Sequence, residues 1–348
     1  MRVEKILEEI KKEIDGYIFH HLSESQTSDS SHQDLSEIEL LKEMMQEYPK
    51  RMGKGLRGGF CVLAAEAFGG RREDTLISAA ALELFQNWVL IHDDIEDGSD
   101  MRRGEKSLHE KYGIPLALNA GDGLTNKMWE LLLSNRKKLG SERAFQILEE
   151  FVGMINETVA GQHIDLTWVE EGRWNLTEED YFRMCRCKTA RYTGVTPMRI
   201  GAFIAGCPEK GERLDEFGFH FGIAFQIHDD LLNLVGNEET YGKEIAGDLQ
   251  EGKRTLILIH LLNHCRKEER EKVIEILGQD RNEKRIEKVR EVLGLMKKYG
   301  SFENAREKAM SLSERAKELF DEGMDGIPDS EAKKTLRQLI DFAISRES

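Results

Sequence analysis

The chain has 348 residues, is 39% hydrophobic and 33% charged, and carries a formal net charge of −15. That length supports a large core, and the excess of acid argues against nucleic acid as a partner and against electrostatic docking on an anionic membrane. The five cysteines show no disulfide framework, the N-terminus has no signal-peptide core, and no apolar run is long enough to span a bilayer, so a cytoplasmic protein without a transmembrane segment is expected.

Only five prolines and few alternating β-branched runs interrupt the chain, which predicts helices almost throughout. In residues 3–22, Val3, Ile6, Leu7, Ile10, Ile14 and Ile18 recur at spacings of three and four, an amphipathic helix. Residues 23–36 are polar and serine-rich, a connector. A second helix begins near Ser36, with Glu39 in capping-box position, and stops near Tyr48 at Pro49. Next, glycines surround Lys54 and Arg57 between Gly53 and Gly59. Glycines let backbone approach an anion closely, although the same composition also describes a solvated loop, and no Walker pattern is present.

Residues 60–68 form a buried helix, and 73–97 a central one, apolar nearly all round through Leu82, Leu84, Phe85, Trp88, Val89, Leu90 and Ile91. The second of these ends in Asp93-Asp94-Ile95-Glu96-Asp97, followed by Arg102-Arg103-Gly104. Asp93 and Asp97 fall one turn apart on one face, where like charges repel, at a helix end that is already negative. Hard oxygen ligands suit Mg²⁺, and the arginines match phosphate. A Mg²⁺–diphosphate site is the expectation.

Turns around a short helix are expected up to Gly121-Asp122-Gly123, then helices over 124–138 and 141–170. Thr177 and Asp180 start another, running through Lys188-Thr189 to Pro197, and a small-residue helix lies near 199–206. A second buried helix, 211–235, ends in Phe225-Gln226-Ile227-His228-Asp229-Asp230-Leu231-Leu232-Asn233, repeating the Ile-His-Asp-Asp of the first. The stretch 241–255 holds Lys243, Asp248, Lys253 and Arg254; beyond it, 256–345 is amphipathic helix dense in Lys/Glu pairs, with no chemistry evident.

Two acidic helix ends and several basic segments imply two polyanions and divalent cations in one helical cavity, and no hydrolase motif is present. Over about residues 45–260 the motifs resemble, in order and spacing, the trans-isoprenyl diphosphate (polyprenyl) synthases, closest to archaeal short-chain geranylgeranyl and farnesyl diphosphate synthases. Asp93 to Asp97 looks like the family's first aspartate-rich motif, Arg102-Arg103 like the arginine pair after it, and Gly53-Lys54-Gly55-Leu56-Arg57 like its upstream Gly-Lys-x-x-Arg. Gly161-Gln162, Lys188-Thr189, Phe225-Gln226 and Gly242-Lys243…Asp248…Gly252-Lys253 follow in the family's order. Two positions depart: Asn233 replaces the last aspartate of the second motif, and Gln86 stands where many relatives carry histidine.

The resemblance implies an all-α isoprenoid synthase fold, a single domain over 1–348 built as a bundle around a central apolar cavity, and a homodimer. It implies condensation of isopentenyl diphosphate with an allylic diphosphate (dimethylallyl, geranyl or farnesyl). Asp93, Asp94, Asp97, Asp229 and Asp230 are then the metal residues for about three Mg²⁺ ions, Asp94 and Asp230 at one remove. Arg102, Lys188, Lys253 and Lys243 are implied for the allylic diphosphate, and Lys54, Arg57, Gln86 and Arg103 for isopentenyl diphosphate. Lys188, Thr189, Gln226 and Lys243 are the implied catalytic set. Trp88 and Val89 are the implied product-length residues; one bulky side chain rather than two aromatics points to geranylgeranyl diphosphate. A farnesyl or longer product, a class I terpene cyclase and a regulatory subunit of a heteromeric synthase are the alternatives.

Overall fold

Helices form in this chain where apolar residues recur at helical spacing, and the computed structural model, which describes residues 2–24, 36–51, 53–235 and 246–345, is helical nearly throughout. Helix α1 (Arg2–Ser23) buries Ile10, Ile14, Ile18 and Leu22 along one face, as its spacing predicts. The expected connector lies mostly outside the described residues. Helix α2 (Ser36–Lys50) keeps Pro49 within its last turn rather than stopping before it. Helices α3 (Leu56–Ala67) and α4 (Arg72–Asp97) follow, and α4 ends at Gly98, whose left-handed φ of 62° lets its N–H close back on the carbonyls of Asp94 and Ile95.

A hairpin not anticipated from the sequence comes next. Strands β1 (Met101–Arg102) and β2 (Glu105–Lys106) pair antiparallel around Arg103 (φ 54°) and Gly104 (φ 79°). Left-handed backbone at the non-glycine Arg103 costs about 1 kcal/mol. Its guanidinium offsets this by donating to the Tyr48 carbonyl (2.9 Å) and to Asn87 Oδ1 (3.3 Å).

The turn expected at Gly121-Asp122-Gly123 is absent. After α5 (Leu108–Tyr112), α6 (Ile114–Leu139) runs straight through it. Both glycines are there for close packing: a Cβ on Gly121 would lie 2.5 Å from His92 Nε2, and one on Gly123 2.8 Å from Met45 Sδ. Helix α7 (Ser141–Glu170) has the expected bounds. The single helix expected from Thr177 to Pro197 is instead α8 (Glu178–Cys185), with its Thr177–Asp180 capping box, followed by a π-helix over Arg186–Val195. The π-helix is wedged between α7 and α11 (Asp215–Val235). A Cβ on Gly161 of α7 would sit 2.2 Å from the Lys188 nitrogen, and one on Gly222 of α11 2.3 Å from Ala190 Cα. Backbone meets backbone on both sides, which fixes Lys188 and Thr189.

Helices α9 (Thr196–Ala205) and α10 (Pro208–Glu212) lead into α11. Beyond it come α12 (Gly247–Glu251), α13 (Leu256–His264), α14 (Lys267–Leu277), a 3₁₀ turn (Arg281–Glu283), α15 (Ile286–Lys298), α16 (Ser301–Gly323) and α17 (Glu331–Ser345). Helix α11 is apolar all round because it serves two clusters: Phe217, Phe221 and Phe225 join the core of the N-terminal helices, and Phe219, Ile223 and Ile227 join that of the C-terminal helices. No helix among the described residues is long and apolar enough to cross a membrane.

Lys284, just after the 3₁₀ turn, donates to the Gln250 carbonyl at 2.7 Å. Burial first, and then Arg254 and Arg281, pull its ammonium down to about 8, against Asp280 and Glu251. The unfolded chain binds this proton more tightly, so stability should rise with pH between about 8 and the ordinary lysine value of 10.5. Urea midpoints measured across that window should climb in the native chain and climb less in Lys284→Met.

Candidate active site

Helices α4 and α11 end in acid, and two buried tyrosines take one carboxylate from each end. Asp94, fully buried, accepts from Tyr48 Oη (2.5 Å) and from Arg102 Nε (2.9 Å). Asp230, also buried, accepts from Tyr181 Oη (2.7 Å) and Gln226 Nε2 (2.8 Å). Burial pushes the Asp230 carboxyl up, while the Gln226 and Tyr181 donations favour its charge. Burial raises both phenols, with Asp94 adding at Tyr48 and Asp230 at Tyr181, so they stay neutral donors. Each acidic pair thus has one member locked inward.

The other members meet cations. Asp93 Oδ1 lies 3.5 Å from Lys188 Nζ and accepts from Gln162 at 3.3 Å, while its Oδ2 lies 3.4 Å from Arg102. Asp97 pairs with Lys253 Nζ at 2.6 Å. Burial pushes the Asp97 carboxyl above its ordinary range; Lys253 pulls it back, and Asp93 and Glu251 add to the rise. Lys188 also reaches Asp165 at 2.5 Å. Burial works against the charge on both lysines, and the facing carboxylates outweigh it, so both remain protonated. Lys253 is close enough to Asp230 to bear on its carboxyl as well, which puts this lysine between the two acidic ends. Asp93 and Asp97 on α4 and Asp229 on α11 are the carboxylates outside the tyrosine locks, and carboxylate oxygens are the donors that a hard cation such as Mg²⁺ takes. Among the described residues no three such side chains are gathered as a ready-made ion site; Lys188 and Lys253 face Asp93 and Asp97 instead.

Thr189 Oγ1 donates to Gln226 Oε1 at 2.8 Å, so Thr189, Gln226, Asp230 and Tyr181 form one chain of hydrogen bonds from the π-helix to α8. Lys243 lies outside the described residues. Asn233, read from sequence as a weakened member of the second acidic motif, is buried and accepts the Asp248 backbone N–H on its Oδ1 at 3.0 Å. It anchors the start of α12 instead.

Of the residues expected for isopentenyl diphosphate, Arg103 lines a cleft beside the hairpin, and Lys54, Arg57 and Gln86 lie outside its lining. This small cleft is lined by Lys11, Asp15, Arg51, Gly53, Gly55, Glu83, Asn87 and Arg103 among others. Burial and the neighbouring Arg102, Arg57 and Arg51 pull the Arg103 guanidinium down to about 10, and Glu83 works the other way. Carboxylates face these cations as well: Lys11 pairs with Asp15, and Arg51 with Glu47 at 3.4 Å. Arg57 stacks on the Tyr192 ring (4.6 Å) and donates to Thr193 Oγ1 (3.0 Å); Lys54 is exposed, with Nζ 5.6 Å from the centre of the Phe342 ring on α17; Gln86 is buried with Oε1 unpaired. Arg102, expected to hold the allylic diphosphate, is committed to Asp94 in this structure. Trp88 packs edge-on against Phe85 (centroids 5.6 Å) and His92 (5.9 Å), half-buried beside Val89.

Tyr48, Tyr181 and Arg51 were missed in the sequence. The tyrosines fall on core-facing positions of amphipathic helices and carry no signal of their own; Arg51 was visible only as one more cation beside a glycine run.

The chain matches the polyprenyl synthetase family model over residues 38–296. It is 35% identical over 295 residues to a short chain isoprenyl diphosphate synthase of Methanothermobacter thermautotrophicus, covering 85% of this chain and 87% of that one. The crystal structure of a geranylgeranyl pyrophosphate synthetase from Pyrococcus horikoshii superposes with a TM-score of 0.84 at 31% identity, covering 99% of this chain and 100% of that one. A geranylgeranyl pyrophosphate synthase from Corynebacterium glutamicum, solved with isoprenyl diphosphate and magnesium, superposes with a TM-score of 0.84 at 26% identity, covering 99% and 100%.

Proposed function

Since the chain belongs to the polyprenyl synthetase family and is a trans-prenyl diphosphate synthase, we propose that it is a Mg²⁺-dependent enzyme that extends dimethylallyl, geranyl or farnesyl diphosphate with isopentenyl diphosphate, ending at geranylgeranyl diphosphate. The observation that carries this is the pair of acidic helix ends with Lys253 between them and Lys188 on Asp93, beside a separate cleft at Arg103. One cluster suits a leaving diphosphate with its metal and the other a second diphosphate that stays attached.

In the reaction the allylic C–O bond breaks and its electron pair leaves with the diphosphate. The isopentenyl double bond then attacks the allylic cation, and the proton released goes to the departed diphosphate. Asp93, Asp97 and Asp229 would hold Mg²⁺, which when bound would neutralise charge on the leaving group. Lys188, Lys253 and Arg102 fix that diphosphate, with Lys243 assisting, and Arg103, Arg57, Lys54 and Gln86 fix the isopentenyl one. Thr189 and Gln226 present oxygens to the developing cation, oriented by Asp230 and Tyr181. The test is incubation of the purified chain with labelled isopentenyl diphosphate and each allylic starter, with and without EDTA. A geranylgeranyl product that disappears with EDTA is expected, and failure to incorporate label from any starter would overturn the reading.

Product length rests on Trp88, roughly 7.5 Å along α4 from Asp93 at ~1.5 Å per residue. In this reading the indole, packed on Phe85 and His92, limits a chain growing from the acidic end, so Trp88→Ala should shift chromatographed products to longer chains; an unchanged distribution would remove Trp88 from this role.

The proposed assembly is a homodimer in the cytoplasm. Phe145 (61% exposed), Val152 (48%) and Val159 (57%) recur every seventh residue down one face of α7, and Ile114, Leu116 and Leu118 are exposed at the start of α6. Seven-residue spacing makes a continuous apolar stripe of the kind that a second copy covers. Val152→Glu should convert a dimer into a monomer by light scattering.

A further inference from the structure

The 3₁₀ turn at Arg281–Glu283 belongs to the region where the sequence shows only Lys/Glu-rich helices, yet it reaches the acidic end of α4. Arg281 Nη2 lies 3.3 Å from Asp100 Oδ2, in the loop leaving α4, and Nη1 lies 3.3 Å from Oε1 of Glu251, the last residue of α12. Ser99 Oγ donates to the same Glu251 oxygen at 2.6 Å. The other oxygen, Oε2, lies 2.9 Å from Lys253 Nζ, which pairs with Asp97 at 2.6 Å. Glu251 is almost wholly buried, its side chain 4% exposed. One carboxylate thus ties the loop after α4, the end of α12 and the lysine between the two acidic ends.

We propose that Arg281 is a positioning residue for Lys253: by holding one oxygen of Glu251, it sets where the other presents Lys253 to the allylic diphosphate. The physical reason is competition. Lys253 is shared between Glu251 and Asp97, and a Glu251 carboxylate relieved of Arg281 draws the ammonium more strongly to itself and turns about fewer fixed points. The distance from Lys253 to the leaving diphosphate then varies, while nothing changes at the Arg103 cleft beside the hairpin. Ser99 shares the task from the α4 side. The inference rests on the assignment of Lys253 to the allylic diphosphate made above.

The test is steady-state kinetics of the full-length chain with each substrate varied in turn. Arg281→Gln should raise the KM for the allylic diphosphate about five- to tenfold and leave that for isopentenyl diphosphate within about twofold. Arg281→Lys should recover part of the loss, and Ser99→Ala should raise the same constant. A merely structural role would lower the melting temperature and move both constants together, which would overturn the proposal, as would Arg281→Gln and Ser99→Ala leaving the allylic KM unchanged. Lys253→Ala in the same assay separates the two readings. If it raises the allylic KM and the Arg281 variants do not, the positioning role fails alone; if it does not, the assignment of Lys253 fails first. Arg281→Gln added to Lys253→Ala should cost nothing further.

Discussion

Asp93→Ala is expected to lower turnover by about three orders of magnitude or more while leaving the fold intact. The two halves of that expectation have separate grounds. Asp93 lies among Lys188, Arg102 and Gln162 on the face of α4 that also carries Asp97, so its loss removes an oxygen ligand from the proposed leaving-group site. Stability is another matter, since Asp93 adds to the electrostatic strain on Asp97, and Lys188 keeps Asp165 when Asp93 is gone. Removing one member of a buried like-charge cluster relieves repulsion. Thermal melting should therefore stay level or rise as product formation falls. Near-native turnover in Asp93→Ala would displace this carboxylate from the reaction, and a large drop in melting temperature would make it structural.

Glu150→Ala should do the opposite and destabilise the chain by about 3–5 kcal/mol, lowering the melting temperature by roughly 5–10 °C. Glu150 is a buried carboxylate on α7, and its Oε1 accepts from Arg191 of the π-helix (2.9 Å) and from Thr196 of α9 (2.7 Å). Its Oε2 accepts from Arg199 of α9 at 3.2 Å. Arg191 retains only a longer pair to Glu157 (3.7 Å), and Arg199 keeps Asp215. Truncation leaves the Arg191 guanidinium, only 12% exposed, without its near acceptor, which is the costly way to break a buried pair, while the half-buried Arg199 falls back on Asp215. Differential scanning calorimetry measures it, and Glu150→Gln, which keeps an acceptor oxygen, should fall between. A melting temperature unchanged in Glu150→Ala would show the network to be idle.

The acidic ends were legible because the chemistry repeats: Ile-His-Asp-Asp closes two helices that are otherwise apolar all round, where a stray carboxylate has no reason to be. The all-helical architecture followed from periodicity in the same way. What stayed hidden has physical causes that differ residue by residue. Gly121 and Gly123 look like a turn because glycine costs a helix about 1 kcal/mol each; contact with His92 and Met45 outweighs that, and a single chain of letters does not show contact. Asn233 looks like an aspartate with its charge removed, whereas its amide oxygen serves the backbone of Asp248. Arg281 is one cation among many in a stretch of ion pairs, and only the path of the chain brings it to Glu251.

The π-helix over Arg186–Val195 has a consequence for how this chain tolerates change. An α-helical turn takes 3.6 residues and a π turn more, so the segment stores surplus chain between Cys185 and Thr196. Deleting a single residue such as Ala190 would draw on that surplus and let the segment tighten toward an ordinary helix, so the helices on either side would keep most of their relative facing. What would shift is the segment itself: Lys188 and Thr189 would turn relative to Gln226, although not one site residue had been replaced. In an ordinary α-helix the same deletion would rotate everything beyond it by about 100°, so here a one-residue deletion tests the phase of the site and spares that of the fold.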